Sequence, residues 1–258
     1  MNAKNTLFVG TLAMILGCGD IPQNNNNINN SNSNKNSNQN MNSNQNDNNH
    51  NNGEYHVIDV QHPGTLHGKV IYALEAPEQR YVSTSDSACP HQVFHELLVV
   101  GKDKGLKNAV ISLDNVVEGK TAVLVYDVVN AQCAYVPHVL VAMKNAKVTF
   151  TNTDDTLHNI HGGNINAALP WKGAKTTNVF HNPGFYPMKC DVHPWMKGYV
   201  IVKENPYFVV SDEHGSFIID TIPSGTYELS VWHESLGKKK MTVSVEADKV
   251  TTIAITYL

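Results

Sequence analysis

One seven-residue segment constrains the fold and chemistry of this 258-residue chain more than any other. Residues 190–196 read Cys-Asp-Val-His-Pro-Trp-Met and bring a thiol, an imidazole and a thioether together. The residues that precede it, 186–189, and the alternating apolar run 197–202 that follows it are typical of strands. The segment is therefore predicted to be a loop between two strands that holds soft metal ligands.

The donors in this loop fit copper better than zinc. A thiolate, two imidazoles and a weak axial thioether form the ligand set of a blue-copper site. A candidate for the second imidazole is His158, which follows a strand-like run and a polar turn over residues 148–157. A structural zinc site commonly has more than one Cys close together, whereas this cluster has one.

The ligand loop and its upstream segment resemble those of the cupredoxins. The pattern Cys-x-x-His-Pro-aromatic-Met-basic-Gly-x-Val-x-Val looks most like the short loop of amicyanin, and residues 135–159 are similar to the upstream half of plastocyanin-like domains. The resemblance covers roughly residues 120–203. It implies one type 1 copper ion, with His158, Cys190 and His193 as equatorial ligands and Met196 as the axial ligand.

Further residues near the ligands are candidates for supporting roles. Asn159 matches the residue that steadies the copper loop in the cupredoxin family. His161 and Met188 are near enough in sequence to compete as ligands, and the alternative is a role beside the site or at the surface. Taken singly, a Cys or a Met in a β domain is usually part of the core, but that explanation does not account for the ordered spacing of the whole set.

A closed ligand set favours electron transfer over catalysis. With four protein ligands no position is left for a substrate, so the chain is not expected to be an enzyme. The resemblance implies the same, since small cupredoxins carry electrons between larger redox partners. His193, flanked by Pro194 and Trp195, would be the surface port for transient docking over less than about 1,200 Å². A plain core role is the alternative for Trp195.

Two other functions are compatible with the sequence. The chain could be a copper-binding or copper-delivery lipoprotein, in which the metal is cargo. It could also be an adhesion or carbohydrate-binding module in which the cupredoxin-like part holds no metal. The net charge of −4 gives no indication of a nucleic-acid partner.

The N-terminus is predicted to direct export and lipid anchoring. Residues 1–17 combine a positive Lys4 with an apolar run that is too short to span a membrane. The junction Ile-Leu-Gly-Cys resembles a bacterial lipoprotein signal, which implies cleavage before Cys18 and a lipid on that residue. An ordinary secretory signal with a free Cys18 is the alternative. The protein is expected in the cell envelope, anchored to a membrane and facing the periplasm or the exterior.

Residues 18–53 are predicted to be a disordered tether. From residue 23 onward they are mostly Asn with scattered Ser and Gln, and almost no apolar side chain is present. Such a composition cannot bury enough apolar surface to offset the entropy lost on ordering.

The remainder is predicted to be all-β, with a cupredoxin Greek-key sandwich and a second, smaller β-sandwich. Residues 212–217 and 223–227 read Asp-x-x-Gly-x-Phe and Pro-x-Gly-x-Tyr, which resembles the carboxypeptidase regulatory-like sandwich. We expect residues 54–118 and 204–258 to form that sandwich, with the cupredoxin domain, residues 119–203, inserted between them. Two consecutive domains are the alternative. A short helical turn is expected at residues 92–98.

Two cysteines remain outside the ligand loop. In an exported protein, Cys89 and Cys133 are predicted to form a disulfide. The alternative is a second metal site that includes His91, His95 and His138, which lie near these cysteines in sequence.

Overall fold

The computed structural model describes residues 54–258. The predicted signal segment, Cys18 and the tether lie outside the described residues. Residues 54–258 form twenty strands and no helix, which confirms the predicted all-β fold class. Accordingly, this part of the chain has no helix that could cross a membrane. The helical turn expected at residues 92–98 is wrong, because Gln92–Phe94 is a strand that pairs with Tyr81–Ser83.

The strands follow one another with short connections. The first six are β1 (His56–Val57), β2 (Gly64–Tyr72), β3 (Tyr81–Ser83), β4 (Gln92–Phe94), β5 (Val110–Asp114) and β6 (Glu118–Gly119). The next nine are β7 (Val125–Ala131), β8 (Ala134–Val136), β9 (Val139–Met143), β10 (Lys147–Asn152), β11 (His158–Gly162), β12 (Ile165–Leu169), β13 (Lys175–Val179), β14 (Gly184–Lys189) and β15 (Lys197–Lys203). The last five are β16 (Phe208–Val210), β17 (Ser216–Ile222), β18 (Gly225–His233), β19 (Gly237–Val245) and β20 (Val250–Tyr257).

The nine middle strands form two sheets around one core, the middle sandwich. Their orders are β13-β10-β7-β8 and β12-β11-β14-β15-β9. In β10, Val148 and Phe150 are buried and alternate with more exposed residues, because side chains along a strand point to opposite faces. They meet Ile160 of the other sheet in a shared hydrophobic cluster. This core lies beneath the loop that carries the predicted ligands.

Strands from both ends of the described chain form a second pair of sheets, the outer sandwich. The orders are β16-β5-β18-β19 and β17-β2-β20. Their inward-facing residues, including Leu66, Ile111, Phe217 and Leu229, form a separate cluster. The strands of the middle sandwich therefore lie in sequence between β5 and β16, which are themselves paired.

A third cluster joins the two sandwiches. Val110 of β5 packs against Val139 and Val141 of β9 and against Ile201 of β15. All five residues of β9 are buried, since one face of the strand meets the middle core and the other meets this cluster.

Candidate metal centre

The predicted ligands lie where strands of the middle sandwich end. His158 begins β11, and Cys190 directly follows β14. His193 and Met196 lie in the loop that leads into β15. Two backbone hydrogen bonds close this loop: the N–H of Cys190 donates to the carbonyl of Met196 at 3.2 Å, and the N–H of Met196 donates to the carbonyl of His193 at 2.9 Å. The closed loop holds its side chains against the start of β11.

Three donor atoms converge in the interior. The Nδ1 atoms of His158 and His193 are 3.0 Å apart, and Cys190 Sγ is 3.8 Å from His193 Nδ1. All three residues are buried: His158 is 0% exposed, and Cys190 and His193 are each 2% exposed. Ligands that share one ion through bonds of about 2.0–2.3 Å are separated by roughly 3–4 Å, so the spacing matches a shared ion.

The opposite nitrogen of each imidazole contacts a carboxylate. His158 Nε2 lies 2.9 Å from Asp154 Oδ2, and His193 Nε2 lies 3.0 Å from Asp86 Oδ2. A carboxylate accepts the ring proton, so each Nε2 is the protonated nitrogen and each Nδ1 keeps its lone pair. Burial lowers the pKa of His158, which also favours its neutral ring.

This network tests whether the residues fit a metal ion. The two Nδ1 atoms face each other 3.0 Å apart with a cysteine sulfur beside them, so two neutral imidazoles need a shared proton or a metal cation between them. Buried polar atoms without a partner are costly. The donors therefore fit a metal ion, and one thiolate with two imidazoles is the set that copper accepts.

Solved structures of copper proteins resemble part of the chain. A purple cupredoxin from Nitrosopumilus maritimus is 27% identical over 30% of this chain and 99% of its own, with a TM-score of 0.28. Amicyanin from Paracoccus versutus is 20% identical over 31% of this chain and 81% of its own, with a TM-score of 0.29. A copper-containing nitrite reductase from Thermus scotoductus SA-01 is 24% identical over 33% of this chain and 24% of its own, with a TM-score of 0.29. No protein-family model and no curated protein matches the chain.

Asn159 connects β11 to the ligand loop. Its Oδ1 accepts a hydrogen bond from the N–H of Asp191 at 2.6 Å, and its own N–H points to Cys190 Sγ at 3.5 Å. Met196 is buried in the middle core on the same loop. These contacts of Asn159 hold the start of β11 against the ligand loop.

The two other candidate ligands have different surroundings. His161 Nδ1 is 2.7 Å from Asp191 Oδ2 at a partly exposed position. Met188 is buried in the middle core and packs among apolar side chains. Among residues 54–258, the groups of His, Cys and acidic residues that could hold an ion do not include His161.

Cys89 and Cys133 are joined in a disulfide, so neither offers a free thiol to the alternative second metal site. His138, which was part of that alternative, instead contacts the buried carboxylate of Glu234.

Cys133 lies in the two-residue turn between β7 and β8, where both Gln132 and Cys133 have positive φ. Both backbone N–H groups of this turn donate to Asp154, at 2.8 and 2.9 Å. Asp154 thus holds the turn and His158 together.

A short segment outside the ligand-bearing strands covers His193. Residues 84–91, which we name the cap, approach the ligand loop through Asp86 and through Cys89, whose Sγ lies 3.9 Å from His193 Nε2. The centroid of the Trp195 ring lies 5.1 Å from that of the His193 ring, and Trp195 Nε1 donates to the carbonyl of Cys133 at 3.2 Å. The expectation that His193 reaches the surface is therefore wrong, and Trp195 is part of its cover.

Sequence reasoning missed the two carboxylates. Hydrogen bonds from the backbone of Ala88, from His193 and from Thr156 lower the pKa of Asp86 to about 2, so it is ionised near neutral pH. Asp86 is 107 residues from His193 in sequence, and no spacing rule connects them. Asp154 carried a usable signal, because it lies four residues before His158 in a polar turn.

Proposed function

We propose that this protein binds one type 1 copper ion through His158, Cys190, His193 and Met196 and carries single electrons. The observation that supports this most directly is the buried convergence of two imidazole lone pairs and one sulfur, with a carboxylate behind each imidazole. When bound, copper supplies a one-electron couple.

The surroundings of the donors suit electron transfer more than catalysis. Each imidazole is fixed by a hydrogen bond to a carboxylate, and the loop is closed by backbone hydrogen bonds. Ligands held in this way change position little when the charge of the site changes, which keeps the reorganisation on electron transfer small. With Met196 as the fourth ligand no position is open to a substrate, so we propose that the protein is not an enzyme.

We further propose that the electron carrier is held at a membrane. The support is the sequence of residues 1–53, with a lipid on Cys18 and an Asn-rich tether that lets the folded part reach transient redox partners in the cell envelope. No nucleic-acid partner is proposed.

The test is a titration of the full chain with Cu(II), followed by visible absorption and EPR spectroscopy. We expect an intense charge-transfer band and a narrow copper hyperfine splitting at one equivalent. Cys190→Ser should abolish the band, and Met196→Gln should keep a copper site with an altered reduction potential. His161→Gln is the matched control, because this imidazole is not among the donors, and it should keep the colour. A colourless wild type, or a coloured Cys190→Ser variant, would contradict the ligand assignment.

The burial of the site also leads to a test that distinguishes an electron carrier from a copper-delivery protein. His158, Cys190 and His193 are all at most 2% exposed, so a chelator cannot reach the ion without local opening. We expect slow release of copper to a competing chelator and fast reduction and reoxidation. Rapid release would favour delivery.

A further inference from the structure

The cap is a preorganised structure, and Asp86 is its point of contact with the metal centre. Inside the cap, the N–H of Thr84 donates to the carbonyl of His91 at 3.0 Å, and the Thr84 hydroxyl donates to the carbonyl of Pro90 at 2.6 Å. The N–H of Cys89 donates to the carbonyl of Asp86 at 3.1 Å, which closes a turn. The disulfide then ties this turn to the middle sandwich.

The carboxylate of Asp86 is itself held in place. Its Oδ1 accepts the N–H of Ala88 at 2.8 Å, and its Oδ2 accepts the hydroxyl of Thr156 at 2.9 Å in addition to His193 Nε2. Thr156 lies on the connection that leads to His158, so the contact also links the cap to the segment of the other histidine. A carboxylate with three donors has little freedom to leave the imidazole.

We propose that Asp86 is a positioning residue of the metal centre, which fixes His193 with Nδ1 toward Cys190 and His158 and adds a fixed negative charge that favours the oxidised ion. This inference rests on the proposed copper function. The strands that supply the ligands do not supply this residue; the cap does.

The geometry gives Asp86 two separable effects. As a hydrogen-bond acceptor it selects the tautomer of His193 in which Nδ1 can bind a metal, and partners of this kind typically change metal affinity 10- to 100-fold when they are mutated. As a negative charge behind the buried ring it stabilises Cu(II) more than Cu(I), because the carboxylate, whose side chain is 28% exposed, is screened only in part by water.

The cap also determines where electrons can be exchanged. Asp86, Cys89 and Trp195 lie around the ring of His193, so a partner that docks on this side of the protein meets the cap and not the imidazole. Removing the Asp86 side chain opens this edge while leaving the disulfide in place.

The experiment compares three variants of the full chain with wild type: Asp86→Asn, Asp86→Ala and the control Asp155→Asn. Asp155 is an exposed carboxylate in the same turn as Asp154, and its ion-pair partner is Lys172 at 3.8 Å. For each protein we measure the reduction potential of the copper form and the Cu(II) affinity by chelator competition. Both Asp86 variants should lower the preference for Cu(II) over Cu(I) about tenfold, a rise of about 59 mV for a one-electron couple. Asp86→Asn should also lower Cu(II) affinity at least about tenfold, because an amide can donate to Nε2 and place the ring proton on Nδ1.

The outcomes are distinct. If wild type takes up no copper, the proposed function fails. If wild type takes up copper, and both Asp86 variants match Asp155→Asn within twofold in Cu(II) affinity and in the preference for Cu(II) over Cu(I), the positioning role is overturned. If near-UV circular dichroism shows that the Asp86 variants do not fold, the variant Thr156→Val tests the positioning role instead. It removes only one of the hydrogen bonds that hold Asp86 and should shift the potential in the same direction by a smaller amount, whereas an unchanged potential refutes the role.

Discussion

Removing the disulfide should cost this protein a large part of its stability. Cys89 and Cys133 are both buried and are separated by 44 residues in sequence. In the chain-entropy description, closing a loop of that length restricts the unfolded chain by about 4 kcal/mol at 25 °C. Because domains are typically stable by only about 5–15 kcal/mol, the variant Cys89→Ala/Cys133→Ala should be close to the limit of folding.

The assay is equilibrium unfolding of the metal-free protein in urea, so that bound copper does not add to the stability. We expect the free energy of unfolding to fall by about 3–4 kcal/mol and the denaturant dependence to rise, because the unfolded chain becomes less compact. Wild type unfolded with a thiol reductant is the control and should show the same difference. A loss below about 1 kcal/mol would refute the reasoning that the crosslink acts on the unfolded chain.

Two further predictions concern the carboxylate behind His158 and a buried histidine of the outer sandwich. Asp154 accepts the N–H groups of Gln132 and Cys133 as well as His158 Nε2, so Asp154→Asn should lower both copper affinity and, by about 1–2 kcal/mol, the free energy of unfolding. Unchanged stability in urea would contradict the structural part of its role. Burial lowers the pKa of His233 from 6.5 to about 4, so the unfolded chain binds the extra proton first and stability should fall as the pH drops from about 6.5 to 4. By urea unfolding at a series of pH values, wild type should lose up to about 3 kcal/mol more than His233→Gln over this range, and parallel curves would show that the ring is not responsible.

The loop at residues 190–196 could be predicted from the sequence because its pattern is local. A thiol, an imidazole and a thioether within seven residues, followed by alternating apolar residues, require neither a distant contact nor a rare backbone conformation. The strands of the middle sandwich follow the same local rule, as the alternation of Val148 and Phe150 shows. His158 needed one further step, the recognition of a polar turn at the end of a strand.

The surroundings of the predicted ligands could not be predicted in this way. Asp86 lies far from His193 in sequence, within a segment whose composition is ordinary for a surface loop. The turn at Gln132 and Cys133 has two positive φ angles, yet it lacks the Asn-Gly type of pair that usually indicates such a turn. It is held instead by the carboxylate of Asp154 and by the disulfide. The mistaken exposure of His193 follows from the same omission, because the cap could not be placed.

The pairing of the outer sandwich has a consequence for the order in which the chain folds. Strand β2 pairs with β17 and β20. Leu66 cannot form its pairing with Thr251 until that residue has been synthesised. Every strand of the middle sandwich has been synthesised by then, and the residues that these strands pair are much closer in sequence. Contacts between distant residues form slowly, and an unpaired strand is exposed to aggregation while it waits. The middle sandwich can therefore fold first and serve as the support on which the two ends of the described chain pair.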